Sequence, residues 1–220
     1  MVICQFIFDM KNQRARSKDE KQQRKEEILS SALDLLLKNG VVASAAQIAA
    51  ASKIAKGTIY LYFTSKEEIY LTLFQKQWDP LFLQINKAIS TPDLPIKEIT
   101  ATIAEYVVTN TFFLPLMIAC SGMLGRSKDK EVIRSYQKIL SKNLEESSQL
   151  LYKRFEIPPN KGINLFLRTY ALVFGMWDVI HMPTIVKEVF REEQWTDFPK
   201  NYQQELQETL EMLWHSMLHT

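Results

Sequence analysis

The stretch AKGTIYLYFTSKEE, residues 55–68, decides how the rest of the chain is read. Its centre, Thr58-Ile59-Tyr60-Leu61-Tyr62-Phe63, is β-branched and aromatic and alternates in polarity, which locally favours a strand. A strand needs a partner. The other strand-like run is Val2 to Phe8, and a lone two-stranded ribbon is marginal in water. The helical reading accounts for more. Residues 21–38 place Ile28, Ala32 and Leu35 or Leu36 at helical spacing, joined by Leu29, Leu33 and Leu37, until Asn39-Gly40 stops the run. Ser44 is the expected N-cap of a second helix, whose Ala49, Ala50 and Ala51 let another helix cross closely. A break at Ser52-Lys53 leads into the quoted stretch, with Ile54, Ile59 and Phe63 able to face inward. Ser65-Lys66-Glu67-Glu68 then opens a longer helix as a capping box. This is helix-turn-helix organisation, with residues 55–61 as a recognition helix of about two turns.

The whole sequence fits that reading. At 220 residues and 46% apolar it can bury the core of one large domain or two small ones. Six Gly and eight Pro among long periodic runs indicate an all-α protein. Net charge is only +2, but residues 1–78 hold 12 Lys/Arg against 8 Asp/Glu and the remainder 15 against 17. Lys11, Arg14, Arg16, Lys18, Lys21, Arg24 and Lys25 form the basic cluster. It suits a polyanion such as nucleic acid, or equally a solvated helix face. Cys4 and Cys120 lack metal-ligand spacing and read as free thiols of a reducing, cytoplasmic compartment. No uninterrupted apolar run reaches about 18 residues, so no membrane-spanning helix is expected. MVICQFIF is not a signal peptide; residues 1–9, before Met10, read as an upstream mis-start or a small extension.

Beyond Trp78, Asp79-Pro80 is expected to kink or end the connecting helix. Further helices are expected near 81–89, 95–113, 115–124, 128–155, 161–181, 184–193 and 200–218. The domains follow: a partly disordered leader at 1–20, a DNA-binding helix-turn-helix at 21–66, a connecting helix at 67–80, and a larger helical domain at 81–220.

The odd residues of the opening stretch suit contact with DNA. Gly57 costs ~1 kcal/mol in a helix against Ala but admits a close phosphate, and the Ala55 end of the helix presents backbone amides to an anion. Lys56 adds a full charge, Thr58, Tyr60 and Tyr62 offer hydroxyls, and Lys66 lies where a flanking phosphate would be. Tyr60 and Tyr62 also read as ordinary half-buried core aromatics.

SAAQIAAASKIAKGTIYLYFTSKEEIY resembles the DNA-binding region of the TetR family of bacterial regulators. The resemblance is carried by Ser44, Ile48-Ala49, Ile54, Gly57, Ile59, Tyr60, Tyr62-Phe63, Ser65-Lys66-Glu67 and Ile69, and covers roughly residues 22–74. It implies an N-terminal three-helix DNA-binding domain, a C-terminal ligand-binding and dimerisation domain, and a homodimer on a pseudo-palindromic operator. Ser44, Ala55, Lys56, Gly57, Thr58, Tyr60, Tyr62 and Lys66 are the implied DNA-facing residues. Two positions depart from the family pattern. Ser52-Lys53 replaces Ala-Gly in the turn, where a left-handed Lys53 would cost ~1–2 kcal/mol. Ala55 replaces a serine that would cap the recognition helix.

In the remainder, residues 161–181 are apolar around nearly the whole circumference, as expected of a helix buried between a pocket and a partner subunit. Gly175 is the expected point of close approach. Leu206, Leu210, Leu213, Trp214 and Met217 form a stripe that either joins the dimer interface or closes its own core. The dimer is expected through 161–181 and 200–218. Tyr106, Phe113, Met117, Met123, Phe166, Tyr170, Phe174 and Trp177 are candidates for an apolar pocket, favouring a hydrophobic or amphipathic effector. Asp178 either counters a cationic ligand or pairs with Arg168 or His181 within the dimer. His215 and His219, at i and i+4, lack a third metal ligand. No catalytic grouping or Gly-rich phosphate loop appears, and no cofactor is expected. The expected function is a repressor released from DNA by a small ligand. An activator, or an adaptor that has lost DNA binding, is the alternative.

Overall fold

A computed structural model describes residues 2–124, 129–181, 183–194 and 201–218, with side chains from residue 19 onward. Ten helices are found among these residues: α1 (Val2–Asn39), α2 (Ala45–Ala51), α3 (Lys56–Ile59), α4 (Lys66–Ser90), α5 (Ile96–Thr109), α6 (Phe113–Leu124), α7 (Lys130–Phe155), α8 (Pro159–Ile180), α9 (Thr184–Glu192) and α10 (Tyr202–Leu218). No strand occurs among them. The all-α expectation holds. The chain divides into two compact units, Met1–Leu73 and Phe74–Thr220.

Three boundaries differ from expectation. The first helix continues back to Val2, because residues 11–27 are mostly Lys, Arg, Gln and Glu, which propagate a helix well. The recognition helix closes only one turn, Lys56–Ile59. Beyond it the Leu61 amide donates to the Thr58 carbonyl and the Tyr62 amide to the Ile59 carbonyl, tightening the chain into successive turns. Third, α4 runs through Pro80 rather than ending there; Leu81, Phe82 and Ile85 beyond the proline are all buried, so tertiary packing holds the helix together across it. The ends expected at 128 and 200, and the separators Gly125 and Pro199, lie outside the described residues.

The N-terminal unit buries Ile28, Leu29, Ala32 and Leu36 of α1 against Ile48 and Ala49 of α2, Ile59, Phe63, and Ile69 and Tyr70 of α4. Tyr70 ties three segments: its hydroxyl accepts from the Ala43 amide at 2.9 Å and donates to the Ala32 carbonyl at 3.4 Å. At the start of α4, Ser65 Oγ accepts from the Glu68 amide. The Glu68 carboxylate reaches back to the amide and hydroxyl of Thr64, one residue earlier than in a regular capping box.

In the C-terminal unit α8 packs on α7 and α10, and α10 also packs on α5. Leu206, Leu210 and Trp214 are buried there, so that stripe closes the unit's own core, while Leu213 and Met217 are half-buried. Trp214 Nε1 donates to Thr169 Oγ1 at 3.0 Å, and the Tyr202 hydroxyl donates to the Val173 carbonyl at 2.9 Å. Arg154 fastens the end of α4. Its Nη1 donates to the carbonyls of Ala88 (3.2 Å), Ile89 (2.7 Å) and Thr91 (3.0 Å), and its Nη2 to that of Leu94.

The close helix crossing is at Gly162, not Gly175. A Cβ at Gly162 would lie 2.9 Å from Ser148 Cβ and 3.2 Å from Ser148 Cα, whereas one at Gly175 meets nothing within 4 Å. Gly162→Ala is therefore expected to push α7 and α8 apart and cost about 1–3 kcal/mol in urea unfolding. Gly175→Ala should be neutral or slightly stabilising.

Helix α8 is long and apolar enough to cross a membrane by length and composition, contrary to the expectation drawn from uninterrupted runs. Core helices of soluble proteins pass the same test. Asp178 is exposed; Arg168 Nη1 lies on Met217 Sδ, and the His181 ring stacks on Trp177 at 3.3 Å. His219 lies outside the described residues, and His215 Nε2 is 3.9 Å from Glu211 Oε1.

Candidate nucleic-acid interface and ligand cavity

The reading turn is built by two adjacent helix ends. Helix α2 begins with a complete capping box. Ser44 Oγ accepts from the Gln47 amide at 3.3 Å, and the Gln47 side chain accepts from the Ser44 amide at 2.9 Å. It ends with the Ile54 amide donating to the Ala49 carbonyl at 3.0 Å and the Lys53 amide to that of Ala50 at 3.2 Å. That pair of bonds is a Schellman ending, in which the left-handed position normally belongs to glycine. Lys53 occupies it, with φ +55°. The turn keeps its geometry without glycine, at a cost of ~1–2 kcal/mol. Helix α3 starts at Ala55 without a side-chain cap.

These constraints present a compact surface. Ile59 and Phe63 are buried, and they fix the outward residues from inside. Lys56, Gly57, Tyr60 and Lys66 are exposed, Tyr60 by 51%. Thr58 and Tyr62 are half-buried, and Tyr62 borders a groove with Lys21, Arg24 and Glu27 of α1. Ser44 is exposed but its hydroxyl is engaged in the cap. A Cβ at Gly57 would meet nothing within 4 Å, and its φ is not in the left-handed range. Nothing among the described residues therefore requires a glycine there. Leu61, 73% exposed beside Tyr60, is a large apolar residue on this surface that sequence reasoning did not single out.

The second site is a cavity of about 180 Å³ in the C-terminal unit. Trp78, Phe82 and Ile85 of α4, Tyr136, Leu140 and Leu144 of α7, and Phe166, Tyr170 and Val173 of α8 make most of its wall, with Phe113 also lining it. Phe113, Phe166 and Tyr170 thus come together as candidates. Tyr106, Met117 and Met123 are buried elsewhere in the core, Phe174 is half-buried off the wall, and Trp177 lines a separate recess with His181 and Tyr202. Sequence reasoning missed the wall from α4 and α7. The four-residue repeat Phe74, Trp78, Phe82 is the signal that could have found part of it.

No charged side chain lines the cavity among the described residues. Two of its polar groups are engaged: the Tyr136 hydroxyl accepts from Trp78 Nε1 at 3.3 Å, and Thr169 Oγ1 from Trp214 Nε1; the Gln137 amide and the Tyr170 hydroxyl also line it. Burial pushes the Cys120 thiol up to about 12, and raises the Tyr136 and Tyr170 hydroxyls as well. All three stay neutral at physiological pH. Such a cavity can hold an apolar group but offers no charge to a polar head. No cluster of three potential metal ligands occurs among the described residues.

Residues 28–73 match the model for bacterial regulatory proteins of the tetR family, and residues 75–220 that for the tetracyclin repressor-like C-terminal domain. The chain belongs to the TetR family. It is a transcriptional regulator that binds DNA, and not an enzyme. A curated relative of this TetR-family chain is the fatty acid metabolism regulator protein of Bacillus subtilis (strain 168). It is 26% identical over 135 residues, covering 56% of this chain and 67% of the relative. Among solved structures, the fatty acid degradation regulator FadR from Bacillus halodurans superposes with a TM-score of 0.58 at 19% identity, covering 89% of this chain and 94% of that one. FadR from Bacillus subtilis in complex with stearoyl-CoA gives 0.56 at 19% identity, over 86% and 96%. At these identities the structural likeness speaks for the fold.

Proposed function

We propose that this TetR-family regulator is a homodimeric repressor that leaves its operator when a fatty acyl chain enters the cavity between α4, α7 and α8. The carrying observation is the wall itself: mostly aromatic and aliphatic, without charge, with the Tyr136 hydroxyl and Thr169 Oγ1 each already accepting a hydrogen bond. The fatty-acid regulators among its relatives support the choice of an acyl chain over other apolar ligands. At about 180 Å³ the space is smaller than the ~300–1,000 Å³ typical of occupied ligand sites. An acyl chain therefore has to displace wall side chains, and that displacement is how binding would favour a second conformation. The ligand shifts the equilibrium only by its differential affinity for the two states.

The dimer reading rests on the outward face of α8. Leu167 is 49% exposed although it also borders the cavity, Val179 is 44% exposed more than three turns further along the same helix, and Met212 of α10 is 66% exposed. Apolar surface of this kind on a single chain favours cover by a second copy. Two copies of the reading turn would then meet successive major grooves of a pseudo-palindromic site, and the protein acts where the chromosome is, in the cytoplasm.

A thermal-shift series of acyl-CoAs, paired with release from DNA, tests this function. At a hundredfold excess over its Kd, a binding acyl-CoA should stabilise the fold by ~2.7 kcal/mol, raising Tm by roughly 5–10 °C. The same ligand should free the labelled duplex. A flat thermal response across all chain lengths would exclude acyl chains. An adaptor that has lost DNA binding, the reading that the uncapped Ala55 favours, would instead show no salt-sensitive retention on duplex DNA.

A further inference from the structure

We propose that the recess around Trp177 is a second small-molecule site, for an uncharged planar heteroaromatic ring carrying an N–H beside a carbonyl, and that its occupant loosens α4 through Asn110. The binding step stands apart from the acyl-chain reading above; the effect on DNA rests on the DNA-binding reading.

The recess holds about 580 Å³, inside the ~300–1,000 Å³ range of ligand sites. It lies between the α5–α6 turn, the end of α8 and the start of α10. Among the described residues it shares only Val107 with the cavity between α4, α7 and α8. Three rings set its character. His181 stacks on Trp177 with centroids 3.3 Å apart and planes 15° from parallel, and Tyr202 stands nearly perpendicular to Trp177 at 5.2 Å. Hydrogen bonds hold this arrangement: the Tyr202 hydroxyl donates to the Val173 carbonyl, and His181 Nδ1 lies 3.2 Å from the Trp177 carbonyl oxygen. A preset aromatic wall loses little freedom when a flat ring stacks on it.

The polar groups narrow the class. No Lys, Arg, Asp or Glu lines the recess among the described residues, so it does not complement a phosphate, a carboxylate or an ammonium group. Asn110 supplies the deciding atom. Its Nδ2 donates to Gln77 Oε1 of α4 at 2.9 Å, while its Oδ1 is buried with no hydrogen-bond partner among the described residues. A buried acceptor without a donor is costly, and a ligand N–H can satisfy it. The exposed Thr111, Asn201 and Gln203 side chains can donate to a carbonyl beside that N–H.

An amide is planar, so its two ends turn together. Oδ1 is closed to solvent where it stands, and turning it to meet a ligand carries Nδ2 away from Gln77. Gln77 belongs to α4, the helix that runs from Lys66 in the N-terminal unit to Ser90 in the C-terminal one. Asn110 bonded to Gln77, or to the ligand, is thus the differential contact that couples the recess to DNA binding.

Equilibrium dialysis of the full-length protein with 2-quinolone, a neutral bicyclic lactam, and 1-methyl-2-quinolone, which lacks the N–H, tests the site. 2-Quinolone should bind once per chain, and its methylated relative ~5- to 10-fold more weakly, the worth of one hydrogen bond. Asn110→Leu should bind the two alike and Trp177→Ala should lose both, with circular dichroism showing each variant folded. On a duplex that the wild type enriches from a random-sequence pool, saturating 2-quinolone should weaken binding at least ~5-fold, and the duplex should weaken 2-quinolone by the same factor. Gln77→Leu should keep 2-quinolone binding and lose that coupling. Absence of saturable binding overturns the site. So does undiminished binding by both Trp177→Ala and Asn110→Leu, which would put the probe in the other cavity. Equal wild-type affinity for the two quinolones overturns the role of Asn110, and an unchanged duplex affinity overturns the coupling. If no duplex is enriched, the DNA-binding reading itself fails, while the dialysis result still decides the site.

Discussion

Tyr60→Ala is expected to weaken operator binding roughly 30- to 700-fold while leaving the folded protein and its oligomeric state unchanged. A bidentate base contact is worth ~1–3 kcal/mol; a single tyrosine contact falls in the lower part of that range, ~1–2 kcal/mol, and a dimer makes it twice, so about 2–4 kcal/mol is at stake, with a factor of ten for each 1.4 kcal/mol. The fold should tolerate the change because Tyr60 is half exposed, while its neighbours Ile59 and Phe63 supply the anchoring. Tyr60→Phe separates the parts: a full loss assigns the effect to the hydroxyl, near-normal binding to the ring. Anisotropy on labelled operator, with circular dichroism and gel filtration alongside, gives the answer. Undiminished binding by Tyr60→Ala would remove the α3 turn from the interface.

The second large effect concerns a residue that does not line the cavity. Arg154→Met should destabilise the C-terminal unit by about 2–3 kcal/mol, read as a lower urea midpoint at constant m. Helix ends leave carbonyls without partners, and one guanidinium serves four of them, at Ala88, Ile89, Thr91 and Leu94. Hydrogen bonds to a charged group contribute ~1.5–3 kcal/mol each when buried; partial exposure of Arg154 discounts that sum heavily. Arg154→Lys distinguishes charge from shape. A lysine is a point charge on a flexible stem and cannot span the set, so it should restore little. Full recovery with lysine would show that the positive end, and not the fork, stabilises this helix terminus.

Local patterns carried the helix-turn-helix, because its cap, turn and inward residues lie close together in sequence. Ser44 caps α2, Ile59 and Phe63 point inward, and Lys53 takes the left-handed position that its place in the turn demanded. What depended on a distant partner was harder. Nothing near Gly162 in sequence announces Ser148, and nothing in the carbonyls after α4 announces Arg154. The cavity divides the same way. Helical spacing tells which side chains share a face, so Phe166 and Tyr170 could be chosen together; it cannot say that Tyr136 and Leu140, from a largely polar α7, stand opposite them. The length of α3 was overestimated because packing of Ile59 and Phe63, rather than continued helix, holds residues 60–63 in place.

The uncharged wall of the cavity also bears on what kind of discrimination such a site can achieve. Trp78, Tyr136, Thr169 and Trp214 spend their hydrogen bonds on one another, leaving a visitor the Gln137 amide and the Tyr170 hydroxyl as polar contacts and otherwise little to be recognised by except its bulk. A chamber of that sort works as a gauge. Each added methylene gains about 0.8 kcal/mol while there is room for it, and the first one that does not fit reverses the trend. The head that follows the chain in is left to whatever surrounds the mouth, so the response would be graded by the length of a tail and largely indifferent to the chemistry at its end.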